Sequence, residues 1–406
     1  MAKPKPIGQD SRAAWWRLAV SLVLATIGGV GLWSTVVVLP LIEREFGVDR
    51  GGASLPYTAT MVGFAFGGVF MGRLADRFGI MRPVMLGAVI LGLGYIAAAH
   101  ATSYWMFVAI QAVLIGALGS SVTFGPMVAD VSFWFRRHRG IAVAIAASGN
   151  YLAGAVWPPV LESAIAVWGW RDTYAVTGVF VMLTMIPLAL FLRLRADLDA
   201  QNPPNAAILA RTNLTPRTVK MLLLLAGVAC CVAMSMPQVH IVAYCLDLGY
   251  GPARGAEMLS VMLGLGIVSR IGSGFIADRI GGLKTLILGS SLQGLALFFF
   301  LPFDGLVSLY LISALFGISQ GGIVPSYSLI VRDVFPAREA SRLVSLVLMA
   351  TVMGMALGGS MSGEIYDLTG SYVAAFLNGI AWNALNLGIA VFLLIGTSSG
   401  MRPARG

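Results

Sequence analysis

The sequence predicts an all-α membrane protein whose twelve transmembrane helices form two six-helix bundles, and three observations point there. Of its 406 residues, 58% are hydrophobic and only 11% charged, with a mean hydropathy of +0.84, outside the range of soluble globular chains. Apolar runs of about 20 residues, each able to cross a hydrocarbon core of roughly 30 Å, recur along the whole chain. A polar segment in the middle divides these runs into two equal sets.

The first set falls at 16–41, 53–75, 82–101, 103–130, 140–166 and 171–193. The second falls at 218–246, 254–277, 284–302, 305–332, 342–366 and 372–396. The runs are continuous and lack period-2 alternation, so they read as helices and not as barrel strands. They are called spans 1 to 12 here. Span 1 follows "MAKPKPIGQDSRAAWWR", which is polar, basic and feeds directly into the apolar run, so no cleavable signal peptide is expected. The dividing segment, "RADLDAQNPPNAAILARTNLTPR" at 195–217, holds Pro203, Pro204 and Pro216. It reads as a cytoplasmic linker between bundles 1–194 and 218–406.

The net charge of +9 could suggest a nucleic-acid partner, but its distribution argues against one. Counted along the alternating spans, 22 of the 27 Lys and Arg fall on the side of the termini. Only Arg44, Arg50, Arg171 and Arg254 fall in the opposite loops, and Arg270 alone lies inside a span. That asymmetry is the positive-inside rule. It places both termini in the cytoplasm and the chain as a multi-pass protein of the cell's inner (plasma) membrane. Cys230, Cys231 and Cys245 all fall in span 7 without metal or disulfide spacing and read as packing residues.

One unit is written twice. "GRLADRFGIMR" (Gly72 to Arg82) joins spans 2 and 3, and "GFIADRIGGLK" (Gly274 to Lys284) joins spans 8 and 9 at the same register, 202 residues on. Six-plus-six spans with parallel repeats indicate a two-bundle secondary transporter. The glycines permit close approach of helix ends, and Asp76–Arg77 and Asp278–Arg279 can latch to neighbouring loops in one state and release in another. A static loop staple is the alternative. Asp130 and Asp333 lie beside basic clusters on the same side and read as further gate residues.

Span 8 contains "GIVSRIGSGF", Gly266 to Phe275. Arg270 lies eight residues before Asp278, about 12 Å from the helix end at 1.5 Å per residue. Its helical neighbours Gly266, Ile267, Ser273 and Gly274 are mostly small, a face that suits protein or a cavity better than lipid. A guanidinium there calls for an anion, and its planar fork matches a carboxylate. The competing reading is an arginine that snorkels to the interface.

Beyond the repeat, "GLWSTVVVLPLIEREFGVDR", "FWFRRHRGIAVAIAASGNYLAGAVWPPV" and "VHIVAYCLDLGY" look like segments of the monocarboxylate transporter family. That family sits within the major facilitator superfamily, which the chain resembles over essentially its full length. The family includes bacterial oxalate–formate exchangers and animal proton-coupled lactate carriers. The resemblance implies that Arg270 occupies the position of the substrate-binding arginine of span 8. The chain departs from the animal carriers in having no lysine in span 1, and Gly266 stands where their span 8 aspartate would be. It departs from the oxalate carriers in having no cation in span 11. One cavity cation balances one carboxylate, which favours a monocarboxylate such as lactate or pyruvate.

The other candidates follow from position and polarity. Asn150 and Tyr151 in span 5, Gln320 and Tyr327 in span 10, and Thr26 and Trp33 in span 1 could line the substrate path. Each could equally be an interface or packing residue. His240 in span 7 is the remaining titratable group for proton coupling, with Tyr244 and Asp247 one and two turns on; the alternative is a helix-end histidine at the interface. Asn378, Asn383 and Asn386 read as interhelical hydrogen-bond partners. Ala350, Gly354, Gly358 and Ser362 make a smooth ridge on span 11, as Gly149 and Ala153 do on span 5. The three histidines share no metal spacing, and no Gly-x-Ser-x-Gly or phosphate loop appears, so neither catalysis nor a metal or cofactor is expected. The expected function is proton-coupled monocarboxylate symport by alternating access in a functional monomer, with protons, a small monocarboxylate and the lipid bilayer as partners. An organic-anion exchanger and a non-transporting membrane sensor are the alternatives.

Overall fold

The computed structural model describes residues 10–135, 138–194, 215–335 and 337–399. The described residues form helices, turns and bends, without strand. Eleven stretches are long and apolar enough to cross a membrane. One of them, Ile141–Leu190, has 50 residues, about 75 Å of helix against a core of roughly 30 Å. Its backbone leaves helical geometry at Gly169 (φ 77, ψ 164), a conformation that favours glycine. The chain reverses there, separating spans 5 and 6. Arg171 clamps the reversal by donating to the carbonyls of Ala99 and Ala101 at 2.7 and 2.9 Å and to Glu45.

Chain reversals group at two ends. Near one end Asp10 meets His138, and the described residues 79–80, 135, 138, 191–194, 281 and 335 between helices lie on that side; this is the basic end. The links around 47–49, 100–103, 248–251 and 370–371 form the acidic end. The two copies of the repeated loop have one geometry. Gly79 (φ 79, ψ 156) and Gly281 (φ 86, ψ 158) each cap the preceding helix. Each donates its N–H at 2.8 Å to a carbonyl four residues back, Ala75 or Ala277. The repeat seen in the sequence is therefore a repeated helix stop.

Four spans are not continuous helices. Span 1 comprises α1 (Arg12–Gly28) and α2 (Val30–Phe46), divided at Gly29. Span 4 passes through a π segment, Gln111–Gly119, and a 3₁₀ turn, Ser120–Thr123. Span 5 is broken at Ser148, and span 10 at Gly321 and Gly322. Such breaks free backbone carbonyls and cluster at functional sites. Trp157 Nε1 already takes one of them, donating to Thr26 O at 2.8 Å.

Small residues let the spans close on one another, as the two ridges anticipate. A Cβ added at Gly354 or Gly358 would lie 2.4 Å from Val228 O or 2.1 Å from Ser235 Oγ of span 7. One at Gly149 would lie 2.5 Å from Ala25 Cβ of span 1. Between the two halves, span 2 packs along span 11 and span 5 along span 8. Thr58 Oγ1 bonds Ala356 O and Ser360 Oγ at 3.0 and 2.6 Å. These contacts belong to the acidic half and reach inward as far as Arg270. Past that point Gly272 and Gly274, and Gly68 of span 2, face open space.

Candidate functional site

Arg270 is 7% exposed, and its side chain lies where spans 5, 8 and 10 meet. Its Nη1 donates to Ala147 O at 2.8 Å and its Nε to Gly321 O at 3.4 Å. Both acceptors sit at helix breaks, and the residue four on from Gly321 is Pro325, which has no amide to donate. The guanidinium carbon stands 4.0 Å from the centroid of the Tyr151 ring, a cation–π contact that orients the fork without neutralising it. No ion pair to Arg270 occurs among the described residues. The arginine does not snorkel to the interface; it spans the junction of the two halves.

Three other expected lining residues gather around it. Trp33, 1% exposed, donates Nε1 to Asn150 O and Oδ1 at 3.1 and 3.2 Å, which ties span 1 to the break in span 5. Tyr151 follows Asn150 directly. Gln320, fully buried, precedes the carbonyl that Arg270 uses; its Nε2 donates to Met262 O at 3.2 Å and its Oε1 accepts from Gln238 Nε2. Sequence reasoning missed Gln238. It lies in an all-round apolar span, and only the partner across the bundle marks it.

Two expectations for the substrate path give way to packing. Tyr327 is fully buried inside the C-terminal half, donating to Ala226 O at 2.9 Å and to Asn386 Oδ1 at 2.6 Å. Asn386 and Asn383 in turn bond Ser290 Oγ and O at 2.8 and 2.9 Å, so this is an interhelical staple away from Arg270. Thr26 Oγ1 bonds Leu22 O of its own helix at 2.8 Å.

Among the gate candidates, Asp130 pairs within the N-terminal half. Arg17 Nε and Nη2 reach its two oxygens at 2.9 and 3.1 Å, and the guanidinium lies 4.4 Å from the Trp134 ring centroid. This bond joins spans 1 and 4 of the same half, so the structure places Asp130 in a contact inside that half and not between the two halves. Arg77 and Arg279 are exposed at their helix ends. The side chains of Asp76, Asp278 and Asp333 lie outside the described residues.

The acidic end carries a second polar cluster that charge counting had placed in a loop. Arg50, 5% exposed, lies 2.8 Å from Glu43 Oε2 and 3.2 Å from Asp247 Oδ1. Its Nη1 donates to Tyr372 Oη at 2.7 Å. The backbone N–H groups of Arg50 and Gly51, at the start of α3 (Arg50–Phe78), donate to Asp367 at 2.9 and 2.5 Å, a carboxylate at a helix N-terminus. Arg50 therefore joins spans 1 and 2 to spans 7, 11 and 12. His240 belongs here and not beside Arg270. It is fully buried, with Nε2 2.8 Å from Gly359 O and Nδ1 3.3 Å from Tyr372 Oη. Because Nε2 must donate to that carbonyl, Nδ1 is the acceptor, and the chain runs from Arg50 N–H through Tyr372 O–H to His240. Tyr244 packs its ring on Tyr372, with centroids 5.3 Å apart.

Gly266 leaves no room for a side chain beside Arg270 without a shift of Tyr151. A Cβ there would come within 3.1 Å of the Tyr151 ring and 3.6 Å of Gln320 Nε2. An aspartate at this position would displace Tyr151 and neutralise Arg270 from one turn away. Gly266→Asp is accordingly expected to weaken anion binding by about tenfold, measured as the substrate concentration for half-maximal uptake.

The Major Facilitator Superfamily model matches residues 21–358 and 273–403. Among curated proteins the chain is 27% identical over 394 residues to monocarboxylate transporter 13 of Bos taurus, covering 89% of this chain and 90% of that protein. It is 25% identical over 394 residues to monocarboxylate transporter 11 of Mus musculus, covering 92% and 86%. Among solved structures, a POT family transporter in complex with 5-aminolevulinic acid superposes with a TM-score of 0.73 at 12% identity, covering 95% and 96%. A point mutant of the nucleoside transporter NupG gives 0.69 at 14% identity, covering 95% and 100%. With an all-helical fold, a helix stop repeated in both halves and a family match along nearly the whole chain, the protein belongs to the major facilitator superfamily of membrane transporters.

Proposed function

We propose that the protein is a proton-coupled symporter of small monocarboxylates of the lactate and pyruvate type, working by alternating access. The observation that carries this reading is Arg270: a buried cation at the junction of the two halves, held by carbonyls and an aromatic face, with no carboxylate of the described protein to balance it. A single anionic cargo supplies the missing charge and removes the penalty on closing the cavity around the guanidinium. The structure's packing supports a carrier closed at the acidic end. Arg50 fastens that end across five spans, while Gly272 and Gly274, past Arg270 toward the basic end, face open space. In this reading the basic end faces the cytoplasm of a cell whose inner membrane holds the protein as a functional monomer. Bundles 1–194 and 218–406 rock about the linker 195–217. The proton is carried by the His240 network, which shares Tyr372 with Arg50 and so senses whether the acidic end is closed.

The test is uptake of labelled lactate into proteoliposomes with and without an inward proton gradient, with pyranine inside. Gradient-driven accumulation with acidification of the lumen is expected. Uptake that requires a second anion inside and leaves pyranine unchanged would replace symport with exchange. Lactate binding with no movement at all would make the protein a sensor.

A further inference from the structure

The basic end carries a cavity built from none of the residues around Arg270 or Arg50. It holds about 420 Å³ between the start of span 1 and the end of span 6, within the size range of small-molecule sites. Trp16 and Arg17 of α1 line it, with Trp134 of span 4 and Leu190, Phe191 and Arg193 of span 6. Span 6 ends there in tight turns. Phe191, Leu192 and Arg193 each donate an N–H to the carbonyl three residues back, at 3.2, 2.9 and 3.3 Å. In such a turn residues three apart share a side, which sets Arg193 beside Leu190.

The lining divides into a closed floor, apolar walls and a cationic rim. Arg17 and Trp134 make the floor, both buried. Arg17 already has its carboxylate in Asp130 and its ring in Trp134, so its charge is spoken for. The walls are Trp16 and Phe191, 63 and 57% exposed, together with Leu190. Exposed rings of this size at the end of a span mark the boundary between hydrocarbon and headgroups. Arg193 is exposed at the rim, and so is Arg12, one helical turn before Trp16 on the same face of α1. Neither arginine has an ion pair among the described residues, and no Asp or Glu is among the described lining residues. A soluble anion would satisfy the two arginines and leave the apolar walls unused. A zwitterionic phospholipid would cover the walls, but its ammonium group would oppose the arginines. An anionic phospholipid matches both, because the guanidinium fork fits phosphate and the rings fit acyl chain.

We propose that this cavity binds an anionic phospholipid of the surrounding bilayer, which fastens the start of span 1 to the end of span 6. The phosphate sits on Arg12 and Arg193, and an acyl chain runs along Trp16, Leu190 and Phe191. The proposal is independent of the cargo. The start of span 7 provides a contrast: among the described residues its groove is lined by that helix alone, with Arg217 and Met221 but no ring and no facing wall.

The test titrates the full chain in neutral detergent with phosphatidylglycerol or phosphatidylcholine whose brominated acyl chains quench tryptophan on contact. The part of the quenching that Trp16→Phe removes reports this cavity. It is expected to reach half-maximum at about tenfold less phosphatidylglycerol than phosphatidylcholine. Arg12→Gln with Arg193→Gln is expected to raise the phosphatidylglycerol requirement to that of phosphatidylcholine. The phosphatidylcholine curve should stay unchanged, an outcome that misfolding would not produce. Arg217→Gln with Lys220→Gln removes the same charge from the start of span 7 and is expected to keep the preference. Equal requirements for the two lipids in the wild type, or no quenching that depends on Trp16, would overturn the proposal. Loss of the preference in the span 7 pair as well would replace a local site by the general charge of the basic end. Release of phosphatidylglycerol by inorganic phosphate at the lipid's own half-maximal concentration, at constant ionic strength, would make the cavity a site for soluble anions and overturn the lipid.

Discussion

Arg270→Ala is expected to lower lactate uptake by roughly 100-fold, the equivalent of a charge-assisted bidentate pair worth about 3 kcal/mol. The loss should fall on binding of the anion and not on folding. Arg270 makes two hydrogen bonds to helix-break carbonyls and stacks on Tyr151, and the same carbonyls can be hydrated once the side chain is gone. Arg270→Lys retains the charge but replaces a planar fork by a point charge. It loses the bond to one of the two carbonyls and the close contact of the guanidinium with the Tyr151 ring. Recovery to no more than about a tenth of wild-type uptake is expected from it. The measurement is initial-rate uptake in proteoliposomes, with thermal unfolding of each purified variant alongside. Wild-type uptake by Arg270→Ala at unchanged unfolding temperature would remove the anchor from this site.

Why Arg270 was legible in the sequence, and Arg50 was not, has a physical explanation. A bilayer imposes continuous apolar runs of a set length, so a charge at mid-run is conspicuous without knowledge of the fold. Arg50 stands at the first turn of α3, where hydropathy ends a span, and nothing local distinguishes it from a loop cation. Its burial is made by Asp247, Asp367 and Tyr372, 197 to 322 residues away in sequence. The facing of Tyr327 was illegible for a related reason. A transmembrane helix is apolar all round, so periodicity cannot tell the cavity side from the bundle interior. The break at Ser148 has no proline within four residues after it, whereas the carbonyl of Gly321 is freed because its i+4 residue is Pro325, which has no amide to donate. Pro158 and Pro159, by contrast, are accommodated within a continuous helix. The repeated loop was readable because its function is local: a glycine with positive φ ending a helix, at the same register in each half.

Arg50→Ala is the variant expected to shift the conformational equilibrium most. In the closed acidic end one guanidinium lies against Glu43 and Asp247 and bonds Tyr372, while its own amide holds Asp367. Glu364 lies close by, with Oε1 2.6 Å from where Gly51 would carry a Cβ. Removing the cation leaves carboxylates from both halves facing each other, and because Glu43 and Asp247 are 30 and 29% exposed the loss is partly screened and worth on the order of 1 kcal/mol. Opening separates Glu43 from Asp247, so the cost falls on the closed state alone. A shift of about 1 kcal/mol changes the closed-to-open ratio by roughly fivefold. Spin labels at Arg44→Cys and Leu368→Cys, both on the exposed surface of that end, read this as a distance in a chain freed of its native cysteines. A single short distance is expected with Arg50 present, and a population at longer distance in Arg50→Ala. Two manipulations should restore closure. Acidification protonates the carboxylates and ends their repulsion, and Asp247→Ala removes the unpaired partner from the opposing half. A double-mutant cycle then isolates the Arg50–Asp247 coupling from the contributions of Glu43 and Tyr372. An unaltered distance distribution in Arg50→Ala would show that the packing of Thr58 and Tyr57 on span 11 suffices to hold the end shut. Arg50 would then have to be assigned to the proton path through Tyr372 and His240, where its loss changes the pH dependence of uptake and not the geometry.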